Sequence, residues 1–269
     1  MERCAWRAER LLEGAALSPP DCMDLENSIS FREEDDSVSP LTSAEDSANP
    51  GMSEDLALAE LKSRDLPSEE IGKFSKNRNL LKSRKVRFAL AAHPHTPRPL
   101  ALRLIRELYT FDLMQISLTP AVAADLKRLA DELMVSRLAS VTLGERLSLA
   151  RRSSGFVAAA LLLDKESRVW QAALQNPRLT EAAVVKALHA LGSSPAFVEA
   201  VCHDQKWSVR HEIRVALLRN PHTPLARALE FARRLAPPLL RDVLHTSRLP
   251  EKTKTYLRTK VLAGRGPSN

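Results

Sequence analysis

The residue types that could do chemistry in this chain are histidine, cysteine, a few acids and a surplus of arginine and lysine. Their spacing decides which chemistry is open to them. His93-Pro94-His95, and Cys202-His203 with His211, come nearest to a metal site. Zinc asks for ligands at a short, repeated spacing with a partner pair elsewhere. Neither group has that pair, so no metal ligand is assigned. For nucleophilic catalysis there is no Gly-x-Ser-x-Gly elbow, and Ser153-Ser154-Gly155 reads as a helix break. Eight glycines form no phosphate-cradling loop. Asp131-Glu132 and Asp164/Glu166 fall where helix starts or turns leave carboxylates solvated. The expectation is a protein that is not an enzyme, with no cofactor and no recognisable small-molecule substrate.

What remains is charge, and it is divided. Residues 1–72 hold 18 acidic and 6 basic side chains, a net of −12, and residues 73–269 hold 15 and 34, a net of +19. The densest basic stretch runs from Lys73 to Arg87. The candidate anion-binding or partner-binding surface is Lys82, Arg84, Lys85 and Arg87 with Arg168, Trp170, Trp207, Arg210 and Arg214. Two readings stand side by side for it. The tryptophans are either packing plugs or platforms for stacking bases, and the cations are either a solvated helix face or a phosphate-neutralising patch.

The elements that must position these residues are written nearly in duplicate: VRFALAAHPHTP at 86–97 and IRVALLRNPHTP at 213–224, with a looser copy, VWQAALQNPRLT, at 169–180. Residues 86–108 and their counterparts 127 positions later share 11 identities in 23. Aligned on His93, Asn176 and Asn220, each copy sets apolar residues at i, i+3 and i+4, which is one face of a short helix. His93 therefore reads as a structural residue that hydrogen-bonds the free backbone of the turn. A second stripe follows each turn: Ala101, Leu102, Ile105 and Leu108, then Val184, Val185, Leu188 and Leu191, then Ala228, Leu229, Ala232 and Leu235. Thr96, Thr180 and Thr223 are expected to cap the second helix, with Pro97 and Pro224 in its first position. The copies lie 83 and 44 residues apart, which reads as a solenoid of helix pairs with one degenerate unit.

The V-R-x-A-L-x-x-N/H-P-x-T-P pattern resembles bacterial leucine-rich-repeat-variant and HEAT-like α-solenoids over residues 66–265. So does the run LGERLSLARRSSGFVAAALLLDKESRVWQAALQNPRLTEAAVV. The resemblance implies an armadillo-type α-α superhelix that serves as a binding scaffold, and it supplies no agreed reaction. The variant repeats can carry an iron–sulfur centre on clustered cysteines, and here Cys4, Cys22 and Cys202 cannot form one. Some HEAT-like solenoids of this size are DNA glycosylases, and no catalytic residue of that chemistry matches here.

Composition agrees with an all-α fold. Hydrophobic residues make up 44% and aromatics only 4%, which suits close-packed short helices better than strands. Scattered cysteines, the absence of an apolar leader and the absence of any run of about 18 apolar residues predict a cytoplasmic protein without a membrane span. The expected organisation is a disordered acidic segment over residues 1–52, its first 13 residues a marginal helix, then a HEAT-like solenoid over 53–266. Within it a helix is expected from Pro67 to about Leu81, a long one opened by Pro120, and a last one ending near Ala263. The function expected is a non-catalytic scaffold for a protein partner, with nucleic-acid binding by the basic body as the alternative.

Overall fold

A computed structural model describes residues 52–63, 65–190 and 192–262. The expectations for the acidic N-terminal segment and for the chain beyond Leu262 lie outside the described residues. Within them the regular structure is entirely helical. In chain order the helices are α1 Glu54–Glu60, α2 Ser68–Lys76, α3 Arg78–Lys82, α4 Arg84–Ala92, α5 Arg98–Glu107 and α6 Thr110–Leu118. Next come α7 Ala124–Arg137, α8 Leu143–Arg152, α9 Gly155–Leu161, α10 Ser167–Leu174 and α11 Glu181–His189. The remainder are α12 Pro195–His203, α13 His211–Arg219, α14 Leu225–Arg233, α15 Pro237–Thr246 and α16 Glu251–Leu257, the last continued by one π turn over Arg258–Leu262.

Local chemistry explains most boundaries. The helix expected from Pro67 to Leu81 is two helices, because the Asn77 side chain accepts from the backbone N–H of Asn79 and Leu80 and starts α3 anew. Thr142 and Glu145 form a reciprocal capping box on α8. Pro120 precedes α7 by a turn, and the helix itself begins at Ala124. Ser154 caps α9 through the Val157 N–H, so Ser153-Ser154-Gly155 is a helix break as read. Thr180 caps α11 as expected. Thr96 and Thr223 do not cap the helix that follows them. Their hydroxyls donate backwards to Leu90 O at 2.6 Å and Leu217 O at 2.5 Å, carbonyls at the ends of α4 and α13 that also accept from the His93 and Asn220 N–H. Pro97 and Pro224 are themselves the N-caps of α5 and α14.

From α4 onward, most of the helices pack on the one two places away in the chain, and α1 packs on α4. One series of contacts joins α1 to α4 and α4 to α6, then α8 to α10 to α12, then α14 to α16; the other runs α5, α7, α9, α11, α13, α15. This corrects the expected repeat. Val169 on α10 and Ile213 on α13 are three helices apart in the chain, and Val86 on α4 and Val169 are six. The 44-residue spacing is therefore one and a half pairs, and it places α4 and α10 in one series and α13 in the other. The letters repeat because they encode a helix end and its turn, a device that a helix of either series can use.

The stacking shows instead in hydrogen bonds that reach from a helix end or its turn to the end of an earlier helix packed against it. Asn176, fully buried, donates through Nδ2 to Ala150 O at 2.8 Å and Ser153 O at 3.2 Å at the end of α8. Its Oδ1 accepts from the Arg178 N–H at 2.8 Å. Asn220 repeats this on Leu188 O of α11 at 2.7 Å and the His222 N–H at 2.9 Å. His93 does the same with a ring: Nδ1 accepts from the His95 N–H, so Nε2 carries the proton and donates to Ser63 O at 2.9 Å beyond α1. Arg137 closes α5 on Leu108 O and Arg106 O. The ends of α1, α5, α8 and α11 thus receive donors from a stacking neighbour, which satisfies carbonyls that burial would otherwise leave costly.

The apolar stripes fill the space between the series. Val86, Leu90, Val169, Ala173, Ile213 and Leu217 are buried as the periodicity predicts, and so are Ala101, Ile105, Val184, Leu188, Ala228 and Ala232. Leu102, Val185 and Leu229 are only partly buried, and Leu104 and Phe231 take their places in the core. In α1 the buried residue is Ala57, while Leu56 is 55% exposed.

Candidate partner-binding site

The basic stretch begins at Ser83, whose hydroxyl both caps α4 through the Val86 N–H and donates to Glu54 on α1 at 2.9 Å. Arg84 follows it and makes a bidentate pair with Asp112 of α6, Nε–Oδ2 and Nη2–Oδ1 both at 2.7 Å. Asp112 is 6% exposed in the first turn of α6, where the helix dipole also favours an anion. The hydrogen bond and charge of Asp112 push the Arg84 guanidinium above its ordinary range, and Tyr109 packs on its face at 5.0 Å. Ser83 and Arg84, adjacent at the start of α4, therefore tie it to α1 and to α6 and set the walls of the space between them.

That space is a groove of about 720 Å³ between α1, α4 and α6. Leu58, Leu61, Phe88 and Ala89 give it an apolar floor, and Asp55, Lys62, Arg84, Lys85, Asp112 and Gln115 its polar edges. Lys62 and Lys85 are exposed and meet no carboxylate at ion-pair distance among the described residues. The groove offers an apolar contact flanked by two uncommitted cations. Its edge also carries the carboxylates of Asp55 and Asp112, the latter already held by Arg84.

The nine residues singled out in the sequence do not gather around it. Arg84 and Lys85 line the groove; Lys82, on α3, is exposed and donates to Asn79 Oδ1 at 3.3 Å. Arg87 lies on α4, its side chain 20% exposed and 3.8 Å from Glu107 of α5. Arg168 is exposed at the start of α10. Trp170 is 4% exposed and packs edge-on against Phe197 of α12, ring centroids 5.7 Å apart. Trp207, 1% exposed, donates from Nε1 to Leu174 O at 3.0 Å, so it closes the end of α10 as Asn176 closes α8. Both tryptophans are packing residues and neither presents a ring to a ligand. Arg210 lies over the Trp207 ring at 5.3 Å and pairs with Glu181 of α11 at 3.0 Å. Arg214 turns back to Ser208 O at 2.9 Å, and burial, with Arg234 nearby, pushes its guanidinium below the usual range.

The sequence reading passed over Asp112, Leu58 and Phe88. The signal available for Asp112 was an acid inside the most apolar short helix of the N-terminal half, TFDLMQISL, 28 positions after an arginine. Cys202 is fully buried, and desolvation pushes its thiol up to about 12, so it is inert packing. Among the described residues no three His, Cys, Asp or Glu side chains gather as a metal site, and no helix is long and apolar enough to cross a membrane. No family model, curated protein or solved structure matches the chain.

Proposed function

We propose that the chain is a HEAT-like α-solenoid that works as a non-catalytic scaffold in the cytoplasm, and that it docks a protein partner in the groove between α1, α4 and α6. The packing of helices two apart and the turn motif around His93, Asn176 and Asn220 support the solenoid. The single observation that carries the docking reading is the groove itself, with Leu58, Phe88 and Ala89 as floor and the uncommitted Lys62 and Lys85 on its edge. Its complement is a segment with an apolar anchor beside acidic residues, the pattern of an amphipathic helix laid in a groove. Nucleic-acid binding is the weaker reading, because Arg84, Arg87 and Arg210 each face a carboxylate of the chain.

A library of amphipathic helical peptides carrying Asp and Glu beside Leu or Phe tests this by fluorescence anisotropy against the full chain. The expected result is micromolar binding that tolerates salt, is abolished by Phe88→Asp and is weakened by Lys85→Glu. If no peptide distinguishes the native chain from Phe88→Asp, or a random duplex binds more tightly with a steep salt dependence, the reading fails.

A further inference from the structure

A second cleft, of about 300 Å³, shares no residue with the docking groove and opens where α11, α13 and α15 end. His189 is the last residue of α11, Arg219 of α13 and Thr246 of α15; Ser193, His222 and Arg248 come from the turns beyond them. None of the residues lining it is acidic. Neither guanidinium has an ion-pair partner among the described residues, so two arginines and two histidines share a small space with no counter-charge.

A plainer explanation is that these cations only answer the negative ends of three helices. The hydrogen bonds argue against it, because the terminal carbonyls are already served by neutral donors. Leu188 O takes Asn220 Nδ2, Leu217 O takes the Thr223 hydroxyl, Arg219 O takes the Arg248 N–H at 3.0 Å, and Asp242 O takes the Thr246 hydroxyl. The guanidiniums are free of that task. Two donors in the cleft are also left over: Ser193 Oγ, on a residue only 8% exposed, and the buried Nε of Arg219 have no partner. A polar group buried without a partner is destabilising, and a ligand acceptor would remove that cost.

Hydrogen bonds also tie the walls of the cleft to one another. The bond from Arg248 N–H to Arg219 O sets the two arginines side by side, and Ser247 Oγ accepting from the buried Leu249 N–H fixes the loop behind them. Asn220 joins the end of α11 to the turn that carries His222. The positive field is felt at His189, whose imidazole is held below its usual range by desolvation and then by Arg219 and Arg248.

We infer that this cleft is a binding site for a phosphate group, held by the Arg219 and Arg248 guanidiniums and the Ser193 hydroxyl. Guanidinium pairs suit a tetrahedral dianion, since each presents a planar fork of N–H donors. The volume is at the lower end of small-molecule sites, enough for a phosphate with a small organic group attached.

Isothermal titration of the full chain with inorganic phosphate and with phenyl phosphate, at ionic strength matched with chloride, tests the site. Saturable binding to at least one probe is expected, with affinity falling at least tenfold in Arg248→Ala and several-fold in Ser193→Ala. Arg248 is exposed, so its loss leaves the fold intact, and a thermal melt of each variant verifies this. Arg241→Ala removes an exposed arginine of α15 outside the cleft and should change nothing. Preference for phenyl phosphate identifies an ester ligand and equal affinity identifies the free ion; either supports the site. No saturable binding to either probe, or equal losses in Arg241→Ala and Arg248→Ala, would overturn it.

Discussion

Replacing Asn176 is the sharpest test of the idea that a helix end is completed by its stacking neighbour. The side chain is fully buried and makes three bonds, donating to Ala150 O and Ser153 O and accepting from the Arg178 N–H. Asn176→Ala leaves two carbonyls and one N–H without partners and opens a small void. At about 1–3 kcal/mol for a buried group left unmet, and with water reaching some of them, the expected loss is about 3–5 kcal/mol. Asn176→Asp tests the direction of the bonds. It keeps the acceptor for Arg178 and turns a carboxylate oxygen toward two carbonyls in a desolvated site, so it should be worse than alanine at pH 8. The introduced acid is favoured in its protonated form when folded, which raises its folded pKa above the unfolded value of about 3.9. The deficit is then full above the folded pKa and shrinks as pH falls through it. Urea melts by circular dichroism at pH 5 and pH 8 measure both effects. If Asn176→Ala costs less than about 1 kcal/mol, or Asn176→Asp is equally stable at both pH values, the capping argument is wrong.

Three further outcomes follow from the same contacts. Gly155→Ala should lose about 1–3 kcal/mol in a urea melt although alanine is the better helix former, because a Cβ there would lie 2.3 Å from the backbone oxygen of Arg178. Trp207→Phe keeps the ring contact but removes the donor to Leu174 O; an expected cost of about 1–2 kcal/mol would separate its capping role from its packing, and a neutral variant would refute that role. The Asp131 carboxyl is pushed up by burial first, against the opposing Ser117 and Ser154 hydrogen bonds, so its native form binds a proton more tightly than the unfolded chain does. Asp131 therefore subtracts stability at neutral pH and ceases to do so as pH falls. Asp131→Asn, still able to accept from Ser117, should melt at the same or a higher temperature at pH 7 and lose that advantage below about pH 4.

The helical class, the turn positions and most of the core were legible because they are local. Spacing places Val86 and Leu90 or Ile213 and Leu217 on a face, and proline marks where the face ends. The role of His93 could be read by aligning it with Asn176 and Asn220, since a neutral imidazole and an amide each carry one donor and one acceptor. Stacking was illegible because the residues that repeat are those of the turn, and the turn device serves both series of helices. The tryptophans misled for a related reason: Trp170 and Trp207 occupy places where their neighbours in sequence are charged, yet α12 and the end of α10 cover them. The groove was missed because its floor comes from α1 and α4, whose contact no periodicity within either helix reveals.

The charge surplus has a similar lesson about topology. A net of +19 over residues 73–269 suggests a positive face, yet many of its arginines are internal braces. Arg137 and Arg178 donate to carbonyls at the ends of α5 and α8, and Arg227 to Cys202 O at the end of α12. Arg146 pairs with the nearly buried Asp164 at 2.7 Å, and Arg84 with Asp112. Guanidinium suits this work because its planar donors reach two acceptors at once and stay charged when desolvated. Arginines spent in this way contribute to composition and little to the field a ligand meets. Lys62 and Lys85 at the groove and Arg219 and Arg248 at the cleft are among the cations for which no side-chain pair with a carboxylate is present among the described residues. The two places differ in design: the groove has an apolar floor with charged edges, whereas the cleft sets two arginines and two histidines among small polar and apolar residues with no acid in its lining.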